Sequence, residues 1–348
     1  MTLQQLLAIE LPIIQAPMAG VQDHRLAVAV SNAGGLGSLP AAMLSLEALR
    51  TELAALQAQT GQPYNVNFFC HTPPTPEATR EAAWRAALAP YYAELGLDPT
   101  QIPTGPGRAP FSAEAAALLA EFRPAVLSFH FGLPSAELLA QVKSWGSKVI
   151  ASATTVAEAL WLEAHGADAL IAQGLEAGGH RGHFLSLDLT EQAGLFALLP
   201  RSVQAVKVPV IAAGGIADAQ GVAAAMALGA AGAQVGTAYL LCPEATTSAV
   251  HRAALQSPAA GHTALTTLFS GRPARGIVNR VMRELGPLTA PTPEFPLATT
   301  AIAPLRAKAE SQGRGDFSPL WSGQNASGCK AIGAAALTLE LAGRSPSL

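Results

Sequence analysis

The sequence predicts a (β/α)8 barrel, in which eight parallel strands alternate with helices, together with a smaller elaboration. The chain has 348 residues, which suits one large barrel domain and an added part. Short β-rich runs alternate with alanine-rich stretches from the start, as expected when crossover helices join parallel strands. Eight such runs occur, which favours a closed barrel over an open sheet. They are Pro12–Gln15, Gly35–Leu39, Tyr64–Phe69, Ala125–Phe131, Lys148–Ala151, Ala167–Ala172, Val208–Ala213 and Gly232–Gly236.

Alanine-rich segments between these runs predict the crossover helices. They include Ser45–Gln59, Ala113–Glu121, Ala136–Lys143, Val156–His165 and Ala219–Leu228. Residues 70–112 are proline-rich at both ends and interrupt the alternation between the third and fourth strands. We expect them to form an insertion over the site, with a helix at Glu77–Leu88. The predicted barrel with its insertion spans residues 1–241.

The remainder of the chain departs from the strand and helix alternation. Residues 242–312 predict a small helical cap, or substrate subdomain, with helices at Ser248–Gln256 and Ile277–Arg283. Residues 313–348 are predicted to pack back on the barrel through an alanine-rich terminal helix, Lys330–Ala342.

The composition excludes several classes of partner. Only 13% of residues are charged and the net charge is −3, so there is no basic footprint for nucleic acid and no polybasic membrane patch. The cysteines, Cys70, Cys242 and Cys329, are far apart and predict neither a disulfide framework nor a CxxC metal site. There is no basic leader at the N-terminus and no run of about 18 apolar residues. We expect a cytoplasmic monomer or homodimer whose partner is a small molecule.

The loops that follow the predicted strands concentrate glycine, histidine and amide residues. In such a barrel the active site lies where the strands run into these loops. The sixth run opens into Ala172–Phe184, which carries four glycines, a carboxylate, an arginine and two histidines. Similar groups occur at Ala16–Gly20, Ser128–Gly132, Ala213–Asp218 and Gln234–Ala238. This convergence predicts a ligand site at one end of the barrel.

The last two strand ends favour a phosphate site. Backbone N–H groups at Gly214, Gly215 and Gly236, with the Thr237 hydroxyl, could hold a phosphate dianion at the place where barrels commonly form such a site. Neither loop contains lysine or arginine, so backbone amides would do most of the binding. The glycines could instead serve only tight turns. Asp218 is expected to cap the helix that follows.

Other strand ends suit the body of a planar ligand. Met18 and Gly20 could lie under a ring system, although Met18 could equally pack at the barrel rim. The side-chain amide of Gln173 both donates and accepts, which suits the edge of an isoalloxazine or a similar heterocycle.

Histidines in the glycine-rich loop are the candidates for proton chemistry. His180 and His183 lie three residues apart and Glu176 precedes His180 by four, but the glycines between them oppose a helix, and a metal site is not predicted. A histidine beside a redox ring is better interpreted as a general base or hydrogen-bond donor. His130, at a predicted strand end, is a second candidate, so the identity of the base stays open. The remaining histidines are interpreted as surface or structural residues: His24, His71, His165, His251 and His262.

Together these segments resemble the nitronate monooxygenases, formerly called 2-nitropropane dioxygenases, and most closely their bacterial class I group. The resemblance covers nearly the whole chain and is carried by Gln15–Gly20, Ser128–Gly132, Gln173–His183, Ala212–Ile216 and Gln234–Thr237. It implies a barrel that binds FMN and oxidises alkyl nitronates with O2, giving a carbonyl compound and nitrite.

The resemblance also implies roles for individual residues. His180 matches the catalytic histidine, which would remove the α-proton of a neutral nitroalkane or donate a hydrogen bond to the nitro group of a nitronate. We expect a substrate pocket formed by His130, His183, Phe295 and Thr299. The residues expected to bind FMN are Pro17, Met18, Ala19, Gly20, Gln173, Gly178, Gly179, Gly214, Gly215, Gln234, Val235, Gly236 and Thr237.

One stretch departs from the pattern of class I members that handle propionate 3-nitronate. Those members carry tyrosines and a lysine after the proline-rich run, facing the substrate carboxylate. Here residues 295–303 offer neither a cation nor a phenol. Because burying an unpartnered carboxylate is costly, this predicts an apolar pocket with a weaker preference for carboxylated nitronates.

Other functions are compatible with the same residues. Related barrels reduce quinones or enoyl thioesters through FMN with NAD(P)H, and they bind the nicotinamide through cap loops that leave little sequence trace. A non-catalytic flavin-binding protein and a flavin-free phosphate-binding lyase are further alternatives.

Overall fold

The predicted barrel is confirmed by a computed structural model that describes residues 2–102, 108–288 and 291–344. Eight parallel strands form one sheet in the order β1-β9-β8-β6-β5-β4-β3-β2, and each overlaps one of the predicted runs. The sheet closes on itself where Ile14 of β1 bridges Leu36 beside β2. The strands are β1 Ile13–Gln15, β2 Gly37–Pro40, β3 Tyr64–Phe69, β4 Val126–His130, β5 Lys148–Ala153, β6 Ala169–Gln173, β8 Val210–Ala213 and β9 Gly232–Val235.

The barrel interior is filled by branched aliphatic side chains, as expected for strands that are buried on both faces. Ile14, Ile150 and Ile211 point into one cluster and are fully buried. Leu3 and Leu7 of the short helix α1 (Leu3–Leu7) join this cluster and seal it from solvent at the end where the strands begin. The opposite end is therefore the one available to a ligand.

Helices surround the sheet, and most of them begin at a side chain that caps them. The predicted cap is confirmed at Asp218, whose Oδ1 accepts a hydrogen bond of 2.8 Å from Gly221 N. Ser45, Ser112 and Thr155 cap other helices in the same way. These helices are α2 His24–Asn32, α3 Leu46–Gln59, α5 Ala113–Phe122, α6 Ala136–Ser144, α7 Val156–Ala164, α8 Leu195–Ala205 and α9 Ala219–Ala227.

The insertion packs on the cap and shares a hydrophobic core with it. Its helix α4 (Ala78–Leu95) continues beyond the predicted Leu88 and lies against α12 (Ala298–Ser311). Trp84 Nε1 donates to the Ala298 carbonyl at 3.1 Å, and the Tyr92 hydroxyl donates to the Ala301 carbonyl at 2.6 Å. These buried bonds fix the insertion to the cap.

The cap contains a small antiparallel sheet as well as helices, so the expectation of a purely helical cap is corrected. Strand β11 (Ala274–Ile277) lies between β10 (Thr263–Thr266) and β7 (Gly179–His180), the latter contributed by the glycine-rich loop of the barrel. Besides α12, the helices of this region are α10 Ala249–Leu255 and α11 Arg280–Leu285.

The predicted helix Ile277–Arg283 is therefore wrong in its first half. Ile277 ends strand β11, because its backbone is paired within the sheet. Helix α11 begins only after Asn279, whose Oδ1 accepts from Met282 N. The pairing that holds this segment extended comes from residues distant in sequence.

The C-terminal segment returns to the barrel, and its helix α13 (Ala334–Leu341) packs on α2. It begins four residues later than the predicted Lys330, because the Glu244 carboxylate accepts from Ala334 N at 3.1 Å and fixes the helix start there. Among the described residues, no helix combines the length and apolar character needed to cross a membrane.

Candidate active site

A cavity lies at the carboxyl ends of the barrel strands, where the sequence predicts the site. Most of the predicted residues line it, and they come from the loops after β1, β6, β8 and β9 and from the end of β4. Those that line it are Pro17, Met18, Ala19, His130, Gln173, Gly178, Gly179, His180, Gly214, Gly215, Gln234, Gly236 and Thr237.

Five predicted residues do not line this cavity. Val235 points into the barrel wall and is 1% exposed, because alternate residues of a strand face opposite sides. Gly20 lies exposed in a left-handed turn with φ of 84°. Phe295 packs against His180, and Thr299 accepts a hydrogen bond from Arg108, so both contact residues that line the cavity. His183 is buried, with neither ring nitrogen bonded among the described residues.

His180 is held at the cavity by contacts from both the barrel and the cap. Its Nε2 lies 2.8 Å from Ser270 Oγ, and its ring packs against Phe69, Phe295 and Trp321. Burial is the largest cause that lowers the pKa of His180 well below its ordinary value, and the positive charge of Arg108 adds to it. The imidazole is therefore neutral at physiological pH, and Nδ1 is the ring nitrogen that Ser270 does not engage.

The backbone carbonyl of His180 fixes the position of the loop. It accepts hydrogen bonds from Gln173 Nε2 at 2.9 Å and from His130 Nε2 at 3.1 Å. Since a carbonyl only accepts, His130 carries its proton on Nε2, and its Nδ1 accepts from Ser152 Oγ at 3.0 Å. Burial lowers the pKa of His130 to about 3. Both ring nitrogens of His130 are thus hydrogen-bonded within the protein. His180 differs, because Ser270 contacts its Nε2 and not its Nδ1.

Arg181 anchors the same loop from its opposite face. This fully buried side chain donates to the carbonyl of Gly174 at 2.6 Å, to the carbonyl of Gln173 at 2.7 Å and to Gln192 Oε1. The guanidinium group of Arg181 is therefore bonded to the loop itself. Arg181 organises the loop and does not line the cavity.

Glu158 of α7 fixes the far end of the loop. Its carboxylate is 1% exposed and accepts from Phe184 N at 2.6 Å and from both N and Oγ1 of Thr154 at 2.7 Å. A buried carboxylate is tolerated where several donors satisfy it. Neither Glu158 nor Ser270 was predicted from the sequence, because their partners are set by tertiary packing.

Glycine is required at two positions of the loop by close approaches. A Cβ atom at Gly182 would lie 2.8 Å from His130 Cε1, and one at Gly178 would lie 2.5 Å from the backbone nitrogen of Gly323. Gly323 belongs to the C-terminal segment, which also lines the cavity through Trp321. The loop, the barrel and the C-terminal segment therefore meet without space for side chains.

The loop after β1 is shaped by buried amides that the sequence did not single out. Gln22 Oε1 accepts from Met18 N at 2.9 Å and from Gln15 Nε2 at 2.8 Å. A polar floor lies nearby, where Asn67 donates to Ser128 Oγ at 2.9 Å. These bonds turn the backbone of residues 16–19 toward the cavity.

The loops after β8 and β9 contain the glycine turns on which the predicted phosphate site depends. Gly214 and Gly215 adopt φ of 120° and 71°, which side-chain-bearing residues rarely adopt. A 3₁₀ helix, Thr237–Leu241, begins directly after Gly236. The Thr237 hydroxyl accepts from Gly323 N at 2.9 Å, so its own proton remains available to donate.

Two histidines interpreted from the sequence as surface or structural residues are buried near the site. His251 is 3% exposed, lines the cavity and lies 3.1 Å from the Trp321 carbonyl through Nε2. His71 packs edge-on against Phe295, with ring centres 4.8 Å apart. Burial lowers the pKa of each to about 4. Both are therefore neutral parts of the wall.

Residues 295–303 contain no cation, but two arginines from other parts of the chain lie close to them. Arg108, from the insertion, lines the cavity and donates to Thr299 Oγ1 at 3.3 Å. Arg272, from the cap, lies over the Phe131 ring at 4.0 Å. The predicted apolar pocket is thus bordered by two positive charges that come from elsewhere in the chain.

Comparison with known proteins agrees with this geometry. The nitronate monooxygenase family model matches residues 1–342. A nitronate monooxygenase of Pseudomonas aeruginosa is 42% identical over 97% of this chain and 97% of its own length. One of Paraburkholderia phytofirmans is also 42% identical, over 97% of this chain and 92% of its own.

A solved structure extends the likeness to three dimensions. The nitroalkane oxidase from Streptomyces ansochromogenes superposes with a TM-score of 0.88 at 39% identity, over 98% of this chain and 96% of that one. With a full-length family match, relatives of this identity and a strand-end cavity built around His180, the chain belongs to the nitronate monooxygenase family of flavin-dependent enzymes.

Proposed function

We propose that the chain binds FMN at the strand-end cavity and uses it to oxidise alkyl nitronates with O2, giving a carbonyl compound and nitrite. The observation that carries this proposal is that a neutral, held histidine and a glycine cradle line the same cavity. His180 supplies the first, and Gly214, Gly215 and Gly236 supply the second.

The cradle suits the phosphate of FMN. Positive φ at Gly214 and Gly215 turns backbone toward the cavity without a side chain in the way, and the start of the 3₁₀ helix adds N–H groups without partners inside the helix. The Thr237 hydroxyl would donate to the same anion. Together these groups would bind a phosphate dianion without lysine or arginine. Because the phosphate would lie against the cavity wall, the site would favour FMN over a longer dinucleotide.

The remaining walls suit the ring of FMN. Gln234 Oε1 is buried at the cavity with no hydrogen-bond partner among the described residues, which is costly unless a bound group donates to it. Residues 17–19 and Gln173 would lie along other edges. FMN, once bound, supplies the electron acceptance and the reaction with O2.

His180 would orient the substrate in this site. A nitronate arrives already deprotonated at carbon, so a base is not needed to start its oxidation. The lowered pKa of His180 disfavours the protonated imidazolium, which makes the ring a better hydrogen-bond partner for a nitronate oxygen than a base for a neutral nitroalkane. Phe69 and Phe295 beside it exclude water from that contact.

Oxygen uptake tests the proposal directly. FMN-loaded protein with butyl nitronate and no nicotinamide should consume O2 and release nitrite, while FMN alone at the same concentration should not. Uptake that appears only after NADH is added would overturn the proposal and favour a nicotinamide-dependent reductase.

A further inference from the structure

Arg108 is a partly buried cation with few partners among the described residues. Its guanidinium has five N–H donors, and one of them is bonded to Thr299 Oγ1, at a long 3.3 Å. Its Nε is buried and has no partner among the described residues. Among the described residues, no carboxylate lies within 4.0 Å of the Arg108 guanidinium. Burial lowers the pKa of Arg108 to about 10. Such a charge is costly unless something satisfies it.

Two arginines with structural roles, Arg252 and Arg181, are well satisfied. Arg252 donates to four backbone carbonyls, those of Thr247, Leu241, Cys242 and Ala245, at 2.9 to 3.1 Å. Arg181 is bonded in the same way to the loop that carries His180. Arg108 differs from both, so a purely structural role does not explain it.

Arg108 faces the substrate side of the cavity. It lines the cavity itself, and its Cζ lies 5.7 Å from the centre of the Phe295 ring, which also packs against His180. Of the charged groups that lower the pKa of His180, Arg108 has the largest effect. Arg272, whose Nε also has no hydrogen-bond partner among the described residues, stacks on Phe131 and is outside the cavity lining.

The Arg108 guanidinium is held beside the aromatic wall of the cavity. Its Cζ lies 5.7 Å from the centre of the Phe295 ring, which is itself packed against His71. Thr299, which receives the guanidinium bond, is in turn tied to the Phe269 carbonyl at 2.9 Å. The guanidinium is therefore positioned before any ligand arrives.

We infer that Arg108 is the anion-recognising residue of the substrate pocket and binds a planar two-oxygen anion of the substrate. A nitronate and a carboxylate share this shape, and each matches the fork of a guanidinium. The ligand anion is thus either the nitronate group itself or a carboxylate at the end of its alkyl tail. This inference rests on the proposed function, and it replaces the apolar pocket expected from residues 295–303 with a pocket selective for negative charge.

The test compares Arg108→Met and Arg108→Lys with the unaltered protein on two substrates of similar length. Butyl nitronate carries one anionic group, and propionate 3-nitronate carries two. If the nitronate binds Arg108, Arg108→Met should lower kcat/KM for both by about 10- to 100-fold. If the tail carboxylate binds there, only propionate 3-nitronate should lose that factor. Arg108→Lys keeps the positive charge but lacks the guanidinium fork. Its kcat/KM should therefore lie between those of Arg108→Met and the unaltered protein.

Arg80→Met is the matched control. It removes the same charge from the same insertion, but Arg80 lies at Glu294, 3.7 Å away, and outside the cavity lining. Unchanged kcat/KM on both substrates in Arg108→Met, with FMN content and Tm equal to those of the control, would overturn the inference.

A binding measurement separates this inference from the proposed function. Calorimetric titration of the FMN-loaded protein with butyrate, an inert carboxylate, does not require nitronate oxidation. Weaker butyrate binding in Arg108→Met than in Arg80→Met would support anion recognition even if no nitronate is oxidised. Equal butyrate affinity, combined with unchanged kinetics, would exclude it.

Discussion

Ser270 Oγ lies 2.8 Å from His180 Nε2, although ninety residues separate the two along the chain. His180 comes from the loop after β6, and Ser270 comes from the turn between β10 and β11 in the cap. The side chain nearest the proposed chemistry is therefore oriented by a different part of the fold from the one that carries it.

Ser270→Ala should weaken catalysis by releasing His180. A neutral hydrogen bond of this kind contributes about 1 kcal/mol, so kcat/KM for butyl nitronate should fall about 5- to 10-fold. FMN affinity should stay the same, because Ser270 does not line the cavity. Ser257→Ala, a change of the same size at a residue of the cap that does not line the cavity, serves as the control, and equal kinetics in the two variants would show that the contact is not needed.

His180→Asn should separate two possible roles of this histidine. Loss of a hydrogen bond to a nitronate should lower kcat/KM about 10-fold, whereas loss of a general base should lower it by about 100-fold or more with the neutral nitroalkane. Because the pKa of His180 lies well below its ordinary value, the kcat/KM profile of the unaltered protein should show no inflection from about pH 6 to pH 8. A wild-type rate on both substrates in the variant would remove His180 from the mechanism.

Acid should destabilise the fold through its buried neutral histidines. Burial lowers the pKa of His130 to about 3 and of His251 to about 4, compared with 6.5 for an unperturbed imidazole. Between these values the unfolded chain binds more protons, so stability is present above about pH 6.5 and is lost as the pH falls toward about pH 4. Each histidine should cost about 1 kcal/mol at about pH 5.5.

Melting temperatures measured at several pH values would test this. His251→Asn should flatten the fall in Tm between about pH 7 and pH 5, while the same change at His262, which is exposed, should leave the slope as it is. Identical slopes in the two variants would show that burial of His251 does not couple folding to protonation.

Gln234→Leu should weaken FMN binding. The buried Oε1 has no partner among the described residues, and we expect FMN to donate to it. Its loss should raise the Kd for FMN about 5- to 30-fold, measured by quenching of flavin fluorescence. Gln204→Leu, at an exposed position of α8, is the control. If the two variants bind FMN equally, Gln234 faces another part of the cavity.

The barrel and the cradle were predictable because their signals are local. Alternating runs specify strands and crossover helices, and the carboxyl ends of parallel strands meet at one end of a barrel. Gly214, Gly215 and Asp218 follow from turn and capping chemistry that is written in a few adjacent residues. The predicted strand ends accordingly line the cavity.

The substrate side was less predictable, because it depends on contacts between distant segments. Phe295 and Thr299 were expected to face the substrate, and they do not line the cavity but contact Arg108, which comes from an insertion with no repeating pattern. The helix predicted at Ile277–Arg283 begins too early, because Ile277 ends strand β11, whose extended form depends on pairing with β10 and with the loop that carries His180. No property of the short segment itself encodes those partners.

Strand pairing between Gly179–His180 and β11 limits how the enzyme can be recombined with its relatives. Ala274 and Arg275 pair with His180 and Gly179, and Arg181 N donates to the Pro273 carbonyl at 2.9 Å. A chimaera that exchanges residues 242–312 alone would replace the backbone on which the proposed reactive histidine rests. A chimaera would retain the geometry of His180 only if the glycine-rich loop and residues 242–312 came from the same parent. The two segments should therefore be exchanged together.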